Sequence, residues 1–412
     1  MVSLKSICIP AAPPVSVNGF TEILDDEHFQ ALRERKQLGV NYLIFPGAVH
    51  TRFEHAIGVL SLAQRLCRVQ GFGEDDGRLL QAFALLHDIG HGPFSHQTEP
   101  VLAMNHHDHG RVVLREMAPV LNAMKLDVEA LEAMLTGTHP LATWISDRNL
   151  GADKLDYLQR DALHIGFHGA PDIERLQFYT RRLPEGLAID GKYMEDAKQL
   201  QKFYSYLHQH GYLNKTALAA QRMLQRALQE ELLEGALLEQ DIWRMGDARL
   251  LAALANGKSL LGRRLVAALT RRNLHCTALA LKPAGYGFVE RQGDGKALEV
   301  CEWSRQELRS LSSRLENLTE LRKLEDGLAE RLHLEKGEVL FAAMPYFKKL
   351  IPKDLRVCDG QGGGFWLLEN DMDHRRSLES DYLRTFAVRL LVPHSRRQEV
   401  FGKCEPLLRE LI

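Results

Sequence analysis

Leu85-Leu86-His87-Asp88-Ile89-Gly90-His91-Gly92-Pro93-Phe94-Ser95-His96 sets an imidazole and a carboxylate side by side at the end of an apolar run. An unpartnered polar pair is costly inside a core, but it suits a divalent cation. Neighbouring side chains on a helix diverge by about 100°, so both reach one ion only at a helix end or bend. Gly90 and Gly92-Pro93 supply the bend. Arg52-Phe53-Glu54-His55 lies upstream and Gly151-Ala152-Asp153-Lys154 downstream. Together His55, His87, Asp88 and Asp153 offer two imidazoles and two carboxylates. That is a donor set for a hard or borderline divalent ion with positions left for water and substrate. A His-Asp dipeptide alone carries little weight, and spacing does not by itself bring His55 and Asp153 to the other two.

Helices must deliver these groups. From Asp25, Phe29 and Leu32 follow helical spacing toward a cap at Gly39, and Tyr42–Phe45 runs into a Pro46-Gly47 turn. Helix resumes near Arg52, with Ile57, Leu60, Ala63, Leu66 and Cys67 as its buried stripe, and breaks at Gly71-Phe72-Gly73. Leu79–His87 is apolar on almost all sides, which suits the middle of a bundle. Further helices are expected over Gly110–Ala118, stopped by Pro119, and over Asp127–Leu135, Asp153–His164, Met194–His210 and Leu213–Leu233. The run to Arg272 is also helical in pattern. Leu187–Ile189 is strand-like, before the turn Asp190-Gly191-Lys192. Past His275 the composition shifts. Cys276–Leu281, Ala297–Val300 and Arg384–Val392 read as strands, and a short helix could follow from Arg397 to Leu411. The expected class is mostly α, with a smaller α+β C-terminal region. The expected division is an extended segment 1–24, a helical domain 25–270 and an α+β region 271–412.

At 412 residues, 45% of them hydrophobic and 26% charged, the chain is long enough for a large core. A formal net charge of -2 disfavours nucleic acid as the main partner. The six cysteines are scattered, with no C-x-x-C pair, as expected of free thiols in a reducing compartment. No run approaches the roughly 20 apolar residues of a membrane span. A cytoplasmic protein with no membrane partner is therefore expected.

Three segments together, Arg52–His55, Leu86–His96 and Asp153-Lys154-Leu155-Asp156-Tyr157-Leu158-Gln159-Arg160-Asp161, closely resemble the HD-domain phosphohydrolase superfamily. The likeness is specifically to its deoxynucleoside triphosphate triphosphohydrolase branch, and it covers about Lys36 to Lys215. The resemblance implies an HD-domain helical bundle in which His55, His87, Asp88 and Asp153 close around one divalent metal ion: Mn, Fe, Mg, Ni or Zn. It implies that His91, His96 and His107 face a phosphate, partly as imidazolium donors, with His96 as the general acid and Glu99 as the carboxylate behind it. His106 and His109 rival His107 for that place. Arg52 and Lys154 are expected to neutralise triphosphate oxygens, by fork and by point charge.

The same resemblance assigns the rest of a pocket. Gln37 and Leu38 match its sugar-reading segment. Asp153, Tyr157 and Asp161 recur at four-residue spacing on one helix face, presenting a metal ligand, a ring for the sugar and a carboxylate for a ribose hydroxyl. His208, Tyr212 and Lys215 match a later pocket helix. An arginine expected there falls on Tyr204, and a frequent histidine on Asn214. The implied reaction is metal-dependent hydrolysis of deoxynucleoside triphosphates to deoxynucleoside and inorganic triphosphate, by a homo-oligomer. Other HD-type nucleotide phosphohydrolases or phosphodiesterases, and a non-catalytic nucleotide-sensing regulator, are the alternatives.

Overall fold

The computed structural model describes residues 5–287, 297–345, 351–359 and 363–412. The chain is mostly helical, with small sheets. Three helices build the site. Thr51 caps the first by accepting from Glu54 N, and the helix runs Arg52–Gln70 until Gly71, at φ 69°, ends it. The second, Glu74–Leu86, opens on Glu74, Asp75 and Asp76, which complement its N-terminal dipole, and closes at His87. The third, Ala152–Ile165, packs on the first and ends at Gly166, φ 76°.

Several elements differ from the sequence pattern. The stretch from Asp25 to Gly39 is not one helix. The Asp26 side chain accepts from His28 N and restarts the chain as Glu27–Gln30, followed by a 3-10 turn at Ala31–Glu34. Pro119 does not stop a helix. His106–Glu116 ends before it, and Pro119 sits in the first turn of Ala118–Ala123, where its missing N–H costs nothing. Ala142–Ser146 and Ile173–Tyr179 are additional short helices. The helix from Met194 ends at Leu207 and widens into a π-turn, His208–Tyr212, before Lys215–Leu233 begins.

In the C-terminal region the strands are Cys276–Pro283, Glu299–Trp303, Leu340–Ala343 and Val388–Val392. Arg384 and Thr385 belong instead to the end of the Met372–Thr385 helix. Cys276–Pro283 pairs parallel with Glu299–Trp303 and antiparallel with Val388–Val392, which pairs antiparallel with Leu340–Ala343. A second sheet joins Thr180–Leu183 and Gly186–Asp190 to Arg356–Cys358 and Gly364–Trp366.

Buried apolar side chains form two clusters. One spans Val15 to Leu207 and is completed by Leu355, Val357 and Leu367. The other spans Leu218 to Leu408 and is joined by Val40 and Phe94 from the front of the chain. Each core thus borrows residues from the other's stretch of sequence.

Candidate metal centre and adjoining pocket

The start of the Arg52 helix, the end of the Glu74 helix and the start of the Ala152 helix meet at one point. There His55 Nε2 lies 3.1 Å from Asp153 Oδ1 and 3.7 Å from Asp88 Oδ2. His87 Nε2 lies 3.6 Å from Asp88 Oδ1 and 3.7 Å from Asp153 Oδ1. Ligand atoms of His55, His87 and Asp153 fall within 4.8 Å of one another. His87 Nδ1 donates to the Ala84 carbonyl at 2.9 Å, which leaves Nε2 as the acceptor facing the cluster. That buried Nε2 has no hydrogen-bond partner among the described residues. An orphaned imidazole nitrogen beside two carboxylates fits a divalent cation on its own chemistry.

Behind the cluster lies a network that sequence reasoning missed. His55 Nδ1 donates to Asp156 Oδ2 at 2.8 Å. Arg160 grips both oxygens of Asp156 at 2.9 Å and donates to Glu54 Oε1 at 2.8 Å. His164 Nε2 meets the same Glu54 oxygen at 2.9 Å. Gly58 makes room for this, since a Cβ there would come within 2.1 Å of Asp156 Oδ1. Burial alone would discharge His55, but hydrogen bonds to Asp153 and Asp156 overcome it and raise the imidazole to about 10. Without a metal, His55 therefore holds a proton between two carboxylates. Asp88 is buried too, yet His87, Arg52 and His91 keep it well below the usual carboxylate range.

Arg52 does not reach freely into the pocket. Its Nη1 is paired with Asp88, and its Nε donates to Ser95 Oγ at 2.6 Å. His91 Nε2 stands 3.4 Å from Asp88 Oδ1. The ring stacked on His91, at 4.0 Å and 10°, is that of His106. His96 stands edge-on to His91 at 4.7 Å. Glu99 joins the set. Its Oε2 pairs with His96 Nδ1 at 2.9 Å, and its Oε1 accepts from His106 Nδ1 at 2.7 Å and His106 N at 2.8 Å. The longer glutamate side chain thus spans both histidines.

His107, the residue expected here, is exposed beside His106, and His109 turns away to the Gly90 carbonyl at 2.8 Å and the Trp243 ring. The register follows from Gly90. A Cβ there would meet the His106 carbonyl at 2.0 Å and Gly110 N at 2.3 Å, so this helix start lies directly on the loop. Gly110, four residues after His106, was the available sign. Burial, then the charge of Arg52, drives His91 well below its ordinary value, and desolvation by its neighbours lowers His96 as well. His96 is nonetheless open to solvent, its side chain being 62% exposed.

Two turns along the Ala152 helix the pocket changes character. Asp161 is buried, accepting from the Tyr212 hydroxyl at 2.5 Å and pairing with His50 Nε2 at 2.7 Å. His50 stacks on His164 at 4.1 Å, which brings this end against the network behind the metal cluster. Tyr212 reaches Asp161 from the π-turn, and His208, from the same turn, meets its ring edge-on at 4.6 Å. Burial, then the Asp161 charge, keeps the Tyr212 phenol protonated, and Tyr157 is raised by burial as well. Lys154 Nζ donates to the Arg148 carbonyl at 2.6 Å and lies 3.7 Å from the centre of the Tyr204 ring. Burial pushes it down to about 7. Gln37 N donates to the His50 carbonyl at 3.0 Å, and Gln37 Oε1 is buried with no partner among the described residues. The Leu38 carbonyl accepts from Gln97 Nε2 at 3.2 Å. Lys215 opens its helix, and Asn214 is that helix's cap, accepting from Thr216 N at 3.0 Å.

The HD domain family model matches residues 52–161, from Arg52 of the first cluster to Asp161 of the second. Residues 52–161 are an HD domain. The chain is 32% identical over 259 residues to an uncharacterized protein of Methanocaldococcus jannaschii, covering 62% of this chain and 54% of that one. It is 31% identical over 210 residues to the deoxynucleoside triphosphate triphosphohydrolase SAMHD1 of Homo sapiens, covering 39% of this chain and 33% of that one. The chain thus spans about half the length of the first relative and a third of the second. In fold, a phosphohydrolase from Bacteroides thetaiotaomicron superposes with a TM-score of 0.72 at 20% identity, over 95% of this chain and 100% of that one. Among the described residues no helix is long and apolar enough to cross a membrane. The HD domain, the expected fold class and a His/Asp group able to hold a metal therefore stand together in one chain.

Proposed function

We propose that the protein hydrolyses deoxynucleoside triphosphates to deoxynucleoside and inorganic triphosphate, with one divalent ion held by His55, His87, Asp88 and Asp153. The observation that carries this reading lies on a single helix. Ala152–Ile165 presents Asp153 to the metal cluster and, two turns on, Asp161 to a pocket of Tyr212 and His50. A metal centre beside hydrogen-bonding groups of nucleoside type suits a phosphorylated nucleoside better than a bare phosphate. Gln37 Oε1, buried without a donor, supports a sugar hydroxyl as its partner. Kinship with proteins named as triphosphohydrolases, at 26–31% identity, points the same way.

Held by His55, His87, Asp88 and Asp153, a divalent ion would supply water activation and polarisation of a phosphate oxygen. The chain's own residues do the rest. Water attacks the α-phosphorus, and the bond from that phosphorus to the 5′ oxygen breaks. His96, backed by Glu99, delivers the proton that the leaving oxygen needs. Burial disfavours the charged imidazole in the free site, and the negative charge of an entering polyphosphate favours it. His91 and His106 line the same floor, while Arg52, held against Asp88 and Ser95, and Lys154, about half charged at pH 7, add positive charge beside the phosphates. Tyr157 packs against the sugar, while Gln37 and Asp161 take its hydroxyl. A homo-oligomer is part of the same reading.

The test is a panel of the four deoxynucleoside triphosphates, singly and mixed, with ribonucleotides, nucleoside monophosphates and cyclic dinucleotides, on protein loaded with each candidate metal. Inorganic triphosphate as the product supports the proposal. Release of orthophosphate from monophosphates, or opening of a cyclic dinucleotide, assigns the metal centre to another phosphoester. No turnover with any metal leaves a nucleotide-sensing role.

A further inference from the structure

Two loops carry much of the pocket. Residues 35–41 present Gln37 and Leu38, and residues 90–98 present His91, Ser95 and His96. Both are tied to one side chain outside the HD domain. Asp247, the first residue of the Asp247–Ala255 helix, is 1% exposed. Phe94 N donates to its Oδ1 at 2.7 Å, and Lys36 N donates to its Oδ2 at 2.9 Å. The Lys36 ammonium lies 3.7 Å from Oδ2. The residues just before Asp247 add to the hold. Arg35 Nη2 donates to the Trp243 carbonyl at 3.0 Å, and a Cβ on Gly92 would come within 2.9 Å of the Trp243 ring. The Arg35 carbonyl accepts from Arg52 N at 2.9 Å, which links this anchor to the start of the helix carrying His55.

The second loop needs such a hold. Phe94 and Ser95 have φ of 56° and 51°, in the left-handed region that side chains other than glycine's disfavour. Such a backbone persists only where its surroundings impose it. Here the Phe94 ring is buried in the second core and its N–H is held by Asp247. The resulting turn sets Ser95 Oγ against Arg52 and opens the 3-10 turn that carries His96. A parallel tie runs through Gln225, whose Nε2 donates to the Gln97 carbonyl at 2.8 Å, while Gln97 Oε1 accepts from Val40 N at 2.8 Å.

We propose that Asp247 is a positioning residue: one carboxylate, delivered from the second core, sets the Gln37 loop and the His96 loop at a fixed separation across the pocket. Its catalytic consequence rests on the reading of that pocket as a nucleotide site. Its structural content does not.

The experiment is hydrogen exchange on the full chain, comparing wild type with Asp247→Asn, Asp247→Glu and a control, Leu250→Ala. Leu250 is fully buried on the same helix and belongs to the second core. Asp247→Asn is expected to speed exchange in peptides covering both 35–41 and 92–98 by about tenfold, the loss of a hydrogen bond to a charged acceptor. Asp247→Glu is expected to do the same, because its charge stands at the wrong reach. Leu250→Ala is expected to leave both segments protected at a comparable loss of thermal stability. On a nucleotide that the wild type hydrolyses, Asp247→Asn should lower kcat about tenfold with bound metal unchanged, and Leu250→Ala should retain kcat. Loosening of one loop alone, equal loosening in the control, or wild-type behaviour of Asp247→Glu overturns the proposal. If the nucleotide panel gives no turnover, the pocket's reading fails while the exchange comparison still decides the role of Asp247.

Discussion

His55 sits between Asp153 and Asp156 and is raised to about 10, against an ordinary 6.5. A cation entering the cluster must displace that proton. Metal binding at pH 7 should therefore release about one proton or more, and apparent affinity should climb with pH by up to about tenfold per unit. Titration calorimetry in buffers of different ionisation enthalpy checks this, and equal heats in both would refute it. Asp156→Asn removes the carboxylate that orients His55 and should weaken metal binding about 10–100-fold. The same shift bears on stability. The raised His55 contributes stability that is complete below 6.5 and lost as pH rises through about 10. Lys154 acts in the opposite sense. Pushed from 10.5 to about 7, it costs most below 7, and that cost is relieved as pH rises toward 10.5. In metal-free Lys154→Met the compensation is gone, so Tm should fall from pH 7 to 10 more steeply than in wild type.

The histidine and aspartate motif was legible because its residue types have no business at the end of an apolar helix. His50, Glu54, Asp156, Arg160 and His164 were not, because their partners lie far away in sequence. Asp156 and Arg160, four apart on a helix, look like an ordinary surface pair until His55 is seen to complete them. The choice among His106, His107 and His109 turned on a backbone contact that no side-chain pattern reports.

Gly90 lies against the start of the His106–Glu116 helix so closely that a methyl group would strike backbone atoms on the far side. Gly90→Ala should destabilise the protein by about 3 kcal/mol, read by denaturant unfolding, because backbone cannot move aside as a flexible side chain does. A change under about 1 kcal/mol would mean that the loop and helix shift freely. Long helices with caps and apolar stripes were readable, as at Arg52–Gln70 and Ala152–Ile165. Short helices such as Ile173–Tyr179 have too few turns to show a stripe. The helix at Arg305–Leu315 carried a sign that went unread: Ser304 and Glu307 form a capping box. The strand starting at Arg384 was overextended because Arg384-Thr385-Phe386 has strand-like composition, while the preceding helix claims its first two residues.

Both cores enclose a buried ion network, Arg160 with Asp156 and Glu54 in the first and Arg226 with Glu325 in the second. Arg226 donates to Glu325 Oε2 at 2.9 Å and to Asp326 at 2.6 Å, and Arg222 donates to Glu325 Oε1 at 3.1 Å. Phe341 N donates to that same Glu325 oxygen at 2.8 Å, tying the Leu318–Arg331 helix to the sheet. Glu325→Ala would strand two guanidinium groups away from water and should cost about 3–5 kcal/mol in urea unfolding. A loss below about 1 kcal/mol would show that water reaches them.

The π-turn at His208–Tyr212 amounts to one residue more than a regular helix would spend on that span. Removing a single residue there would let the coil close up at little conformational expense. The wide turn that carries Tyr212 would then narrow, and its phenol would be drawn off Asp161. The fit of this end of the cavity is thus written in chain length as much as in residue identity, and descendants of this sequence could retune their ligand by losing a codon rather than changing one.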